Sequence, residues 1–124
     1  MPGMTITMGG ITVDCANPHT LADFWTKALG YEIAHDYGTF VFIGPADKSS
    51  DNTVYLGFQQ VPEERVGKNR LHIDFRVDDR AAESARLVEL GATVVGEHAV
   101  PTLSWTVLRD PEGNEFCVGQ PDEA

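Results

Sequence analysis

From Leu71 to Val77 the chain alternates without a break, with Leu71, Ile73, Phe75 and Val77 on one parity and His72, Asp74 and Arg76 on the other. A period of two over that length predicts a β-strand with one apolar and one polar face. Its three ionisable side chains would project from the same side of a sheet, close enough to act together. On an outer face such a row is an ordinary solvated strand. Its weight here comes from the surrounding design, which occurs twice.

In the first copy, Ile6 to Asp14 reads as a strand with Ile11, Val13 and Cys15 on its apolar parity. Asn17 is placed to cap a helix, Pro18 suits the first turn, and Leu21, Phe24, Trp25, Ala28 and Leu29 recur at three and four before Gly30 closes it. Tyr31–His35, Thr39–Ile43 and Thr53–Gln60 read as three strands, with a turn at Tyr37-Gly38 and a polar loop from Gly44 to Asn52. In the second copy the 71–77 strand leads to Asp79 as cap. A helical stripe of Ala82, Ala85, Leu87, Val88 and Leu90 ends at Gly91. Ala92–Val95, Ser104–Arg109 and Glu115–Gly119 follow as strands, the last two joined by the turn Asp110-Pro111-Glu112-Gly113-Asn114.

The expectation is a single α+β domain over residues 1–124: a module at about 5–60, a linker at 61–69 and a second module at about 70–119. Aligning the apolar parities of the two leading strands sets Gly10 against His72, Thr12 against Asp74 and Asp14 against Arg76. Two such half-sheets facing each other, with helices outside, would turn the polar parity toward a cleft.

Nine basic and nineteen acidic residues give a formal charge of -10, which disfavours nucleic acid and anionic lipid as partners and suits a cationic small molecule. No apolar run approaches the ~20 residues of a membrane span, and no export leader is legible at the N-terminus, so the expected location is cytoplasmic. Cys15 and Cys117 form no close pair and read as buried thiols.

Three signatures, Phe-Trp-x-x-x-Leu-Gly at 24–30, His-Ile-Asp-Phe-Arg-Val-Asp-Asp at 72–79 and Asp-Pro-Glu-Gly-Asn-Glu-Phe-Cys-Val at 110–118, resemble the vicinal oxygen chelate superfamily of glyoxalases, bleomycin-resistance proteins and extradiol dioxygenases. The resemblance runs from about Thr7 to Val118 and is closest to the glyoxalase-like single-domain members. It implies two βαβββ modules forming an open, eight-stranded, barrel-like sheet around a ligand cleft, and a homodimer. In enzymatic members a divalent metal is held by side chains from the first and last strands of each module, where it stabilises an oxyanionic intermediate.

Carried over by position, the resemblance makes His72 a ligand, leaves Gly10 with nothing to offer, puts Cys117 where the second module's last strand places its donor, and leaves Gln59 as the usable side chain in the first module's last strand. Glu115, two residues before Cys117, shares its face. Beside the blander possibility of an interaction domain whose dimer surface is the function, two readings follow. In one, the protein is a small-molecule-binding protein of the glyoxalase/bleomycin-resistance type without the full metal site and without a cofactor. In the other it is a lyase, isomerase or dioxygenase using Zn, Ni, Fe or Mn held by His72 and Glu115. Asp74, Gln59, Tyr55, Trp105 and Cys117 join His72 as candidate ligand contacts, set against a half-buried His72 satisfied by Asp74 or a backbone carbonyl, core packing for Tyr55 and Trp105, an ion pair with Arg76 for Asp74 and inert burial for Cys117. Glu115, with no cation adjacent in sequence, is the candidate catalytic acid or base. His19, His35 and His98 are expected at the surface.

Overall fold

The computed structural model describes residues 9–47, 54–67, 69 and 71–121. The chain divides into two compact units, 1–62 and 63–124, and the eight strands hydrogen-bond as two separate four-stranded sheets, one per unit. Each unit runs strand, helix, three strands, so the α+β reading and the βαβββ repeat are both met.

In unit 1 the elements are β1 (Gly10–Cys15), α1 (Pro18–Leu29), β2 (Tyr31–Asp36), β3 (Phe40–Pro45) and β4 (Tyr55–Gln60), in sheet order β1-β4-β3-β2 with β1 parallel to β4. The side chain of Asn17 accepts the Thr20 N–H, Pro18 opens the helix, and Gly30 closes it at φ 69°. One face of the sheet packs on α1. Leu21, Val41, Ile43 and Phe58 are almost fully enclosed there, and Trp25 lies in the same core, its ring edge-on to Phe24. Each such side chain contributes about 1.5–3 kcal/mol by leaving water. The expected polar loop at 44–52 starts later than anticipated, since Gly44 and Pro45 belong to β3. Ile6, expected to open β1, and the remainder of that loop from 48 to 53 lie outside the described residues.

Unit 2 repeats the plan with β5 (Ile73–Arg76), α2 (Arg80–Leu90), β6 (Thr93–Val100), β7 (Leu103–Arg109) and β8 (Glu115–Pro121), in sheet order β5-β8-β7-β6. Asp79 caps α2 by accepting the Ala82 N–H. The helix does not bury the stripe expected of it. Leu87 is its buried residue, whereas Ala82, Ala85 and Val88 are exposed. Its inner side begins instead at Arg80, whose guanidinium donates to Thr106 Oγ1 at 2.8 Å and pairs with Glu97 at 2.6 Å, while its backbone N–H donates to Gln120 Oε1 at 2.8 Å. Arg80 thus ties the first turn of α2 to three strands, two through its guanidinium and one through its backbone N–H. The strand expected at 71–77 is also shorter than its alternation: pairing covers Ile73–Arg76, and Leu71 is 68% exposed.

The turn between β7 and β8 is built on Asp110, which is buried. One carboxylate oxygen accepts the backbone N–H groups of Glu112 at 2.9 Å and Asn114 at 3.0 Å, and the Asn114 side-chain amide donates to both oxygens. Gly113, at φ 85°, supplies the left-handed position. No helix among the described residues is long and apolar enough to cross a membrane.

Candidate functional site

Register fixes which side chains share the face of each sheet turned away from its helix. In unit 1, Thr12 pairs with Gly57 and Gly57 with Phe42, while Asp14 pairs with Gln59 and Gln59 with Phe40. In unit 2, Asp74 pairs with Cys117 and Cys117 with Val107, while Arg76 pairs with Gly119 and Gly119 with Trp105. Both edge strands shift register at the same place, between Ile33 and His35 in β2 and between Val94 and Gly96 in β6. The duplication therefore extends to the bulge. Residue by residue, Phe42 stands where Val107 does, Phe40 where Trp105 does, Gly57 where Cys117 does and Gln59 where Gly119 does.

The two faces differ in chemistry. Unit 1 holds a hollow of about 420 Å³ lined by Gly9, Gly10, Thr12, His35, Phe42 and Tyr55. Of its lining rings, Phe42 meets His35 edge-on at 6.4 Å, and each is backed by a further ring, Phe40 stacked on Phe42 with centroids 4.4 Å apart and Tyr37 on His35 at 5.8 Å. Glycines make this possible. A β-carbon on Gly57 would stand 2.9 Å from the Phe40 ring and 3.1 Å from that of Phe42, and one on Gly44 would meet the Tyr55 ring at 2.5 Å. The rings occupy space that side chains at these two positions would need.

Unit 2 carries the ionisable groups. His72 Nε2 lies 3.2 Å from Asp74 Oδ1, both side chains substantially exposed. Cys117 is buried, and its sulfur, the His72 imidazole and an Asp74 carboxylate oxygen all lie within 4.8 Å of one another. Asp74 thus pairs with His72, the partner expected for the histidine, rather than with Arg76. Glu115 is outside this trio. β7 and β8 pair Arg109 with Glu115 directly, and the guanidinium lies 3.4 Å from the carboxylate, which is only 15% exposed. The absence of a cation near Glu115, on which its acid–base reading rested, therefore does not hold; the hairpin turn brings one opposite it. The backbone N–H of Glu115 donates to Asn69 Oδ1 at 3.3 Å.

Tyr55 contributes to the hollow, and Gln59 sits exposed farther along the same strand. Trp105 is half-buried and stacks on His98 at 5.5 Å. His35 is exposed, as expected of a surface residue, and also lines the hollow; Phe42 lines it too, with Phe40 stacked on it, and neither phenylalanine is among the expected site residues. Their signal was an aromatic repeated at a spacing of two, ending at Gly44.

The family model of the glyoxalase-like domain matches residues 10–119, most of the chain. The chain belongs to the glyoxalase-like domain family. It is thereby a member of the vicinal oxygen chelate superfamily. Solved structures agree on the fold. A glyoxalase/bleomycin resistance protein/dioxygenase family enzyme from Burkholderia phytofirmans is 16% identical with a TM-score of 0.74, over 90% of this chain and 96% of that one. A glyoxalase family protein from Bacillus cereus is 14% identical with a TM-score of 0.70, over 98% of each. TnmS3, described as an antibiotic binding protein from a Streptomyces species, is 26% identical with a TM-score of 0.70, over 97% of this chain and all of that one. No functionally curated protein matches in sequence.

In this glyoxalase-like domain the four strand positions from which the superfamily holds its metal are, by register, Gly10, Gly57, His72 and Cys117. Two of the four have no side chain. The space above Gly57 is filled by phenylalanine rings, and a β-carbon on Gly10 would stand 3.0 Å from the Tyr55 carbonyl oxygen. Gln59, expected to supply the missing donor, is one strand step beyond the position. The four-position metal set does not fit these residues.

Proposed function

We propose that this glyoxalase-like domain binds a flat organic small molecule in the aromatic hollow of unit 1, without the superfamily's complete metal set. The observation that carries this is the hollow itself. It is an open hollow of about 420 Å³, within the size range of small organic ligands, and its lining offers the rings of Phe42, Tyr55 and His35 with Thr12 as a polar contact. Stacking on such faces is worth about 0.5–1.5 kcal/mol per ring pair beyond burial. The surplus of acidic residues favours a ligand of neutral or positive charge. The 26% identity with an antibiotic binding protein supports the same reading.

The test is thermal denaturation in the presence of chelator against a panel of aromatic and cationic compounds. A binder raises the melting temperature with no metal added, because it stabilises only the folded state. Phe42→Ala should weaken that binder by roughly tenfold, the loss of one stacked ring. A panel that yields no shift, or a shift that survives Phe42→Ala and Tyr55→Ala unchanged, removes the hollow from the function. The same reading has two copies of the chain paired in solution. Light scattering would return twice the 13.6 kDa chain mass, and a monomer mass removes that part of it.

A further inference from the structure

Four residues stand in one row across the sheet of unit 2, on the face turned away from α2. Arg76 on β5 pairs with Gly119 on β8, Gly119 with Trp105 on β7, and Trp105 with His98 on β6. We propose that this row binds a planar aromatic carboxylate, its anionic end on the Arg76 guanidinium and its ring beside the Trp105 indole, over the bare backbone of Gly119. The site is separate from the hollow of unit 1 and uses none of the superfamily's metal positions.

Each end of the row offers what such a ligand needs. Arg76 is exposed, and among the described residues nothing hydrogen-bonds or pairs with its guanidinium. The acids around it are engaged elsewhere: Asp74, on its own strand and face, by His72 at 3.2 Å, Glu115 by Arg109 at 3.4 Å, and Glu97, on the opposite face, by Arg80 at 2.6 Å. In a chain with nineteen acidic residues against nine basic ones, a guanidinium left without a carboxylate is an open fork for a planar anion. At the other end the half-buried Trp105 stacks on His98 of β6, centroids 5.5 Å apart and planes 27° from parallel. Toward β8 no side chain rises. A β-carbon on Gly119 would come no closer than 3.4 Å to a neighbour, the tip of Leu103, whereas the space above Gly57 in unit 1 is closed by rings at 2.9 and 3.1 Å. Neighbouring strands lie about 4.8 Å apart, so roughly 10 Å of sheet separates the backbones of Arg76 and Trp105, a span that an arginine side chain and one ring system fill together. The corresponding row of unit 1 reads Asp14, Gln59, Phe40, with an acid where Arg76 stands, so the preference for an anion belongs to unit 2.

The probe is naphthoate, read by calorimetry on the full chain. Naphthamide keeps the ring and loses the charge, acetate keeps the charge and loses the ring, and inorganic phosphate supplies a different anion. Naphthoate should bind with one equivalent and more tightly than any of the three. Arg76→Gln, at an exposed position whose loss breaks no contact among the described residues, should weaken naphthoate by about 10–100-fold, as for hydrogen bonds to charged groups, and bring it level with naphthamide. Arg76→Lys should fall between the two, because it keeps the charge and loses the fork. Trp105→Ala should weaken naphthoate by roughly 2–10-fold, and Phe42→Ala should leave it unchanged. Naphthoate binding that naphthamide or phosphate equals, or that survives Arg76→Gln, overturns the site. So does a loss produced by Phe42→Ala and not by Trp105→Ala, which would place naphthoate in the hollow of unit 1. Neither Arg76 nor Trp105 lines that hollow, so failure here leaves the reading of unit 1 as it stands.

Discussion

Gly57 has no side chain, and two phenylalanine rings occupy the place where one would stand. Gly57→Ala sets a β-carbon 2.9 Å from one ring and 3.1 Å from the other, so both must move. We expect a loss of about 1–3 kcal/mol of stability, as for other overpacked sites, together with weaker binding in the hollow, read by denaturant titration and by ligand-induced shift. Ser84 illustrates the opposite case. Among the described residues its hydroxyl is the buried side-chain polar atom with no hydrogen-bond partner. Ser84→Ala should therefore be neutral or stabilising by about 1 kcal/mol, and a clear destabilisation in urea would show that the hydroxyl has a role. Asp36 connects local structure to pH. The Gly38 backbone N–H, and after it His19, hold its carboxyl below the ordinary 3.8. A depressed folded pKa contributes stability above pH 3.8 that is lost as pH falls through the folded value. The melting temperatures of the parent and Asp36→Asn should differ at pH 5 and converge in the acid range. A constant gap across that range would sever the link.

At the scale of elements, the β7–β8 turn depends on one carboxylate that satisfies two backbone N–H groups and a side-chain amide while buried. Asp110→Ala leaves those donors in a closed turn and should cost about 2–3 kcal/mol, measurable as a fall in the urea midpoint at unchanged slope. That turn was legible in the sequence because it is local: Asp, Pro, Gly and Asn at those spacings have few alternatives. The two helix caps were legible for the same reason. The Arg109–Glu115 pair could have been found by counting back from the turn, since the residues flanking it face each other. The hollow was less legible. Ile33 pairs with Ile43 but His35 pairs with Phe42, so the bulge in β2 reverses which face the following side chains join, and alternation counted from Tyr31 places His35 on the wrong one. The buried side of α2 was misread because alanines carry little burial signal, and the residue that anchors the helix is an arginine whose partners come from other strands.

For the whole molecule, the two units bury their cores unequally. Unit 1 encloses Leu21, Phe24, Trp25, Val41, Ile43, Leu56 and Phe58, whereas β6 of unit 2 is an edge strand exposed along nearly all its length, with Val94, Val95 and Val100 among the open side chains. Local opening follows burial and pairing. Amide hydrogen exchange should be slowest in β3 and β4 and fastest, among the strands, in β6; the reverse order would mean that β6 is covered in solution. The division of chemistry follows the division of the chain: where unit 2 carries His72, Asp74 and Cys117, unit 1 has Gly10, Thr12 and Gly57, and the rings of Phe40 and Phe42 crowd over the last of these.

The phenylalanine stack over Gly57 also limits what the chain can be turned into. A mutation giving that position a histidine or glutamate would drive the new side chain into Phe40 and Phe42, and Gly10 would still be bare. Engineering four-point coordination into this domain would therefore require replacing both rings and both glycines together, whereas exchanging one ring for another leaves the backbone beneath untouched.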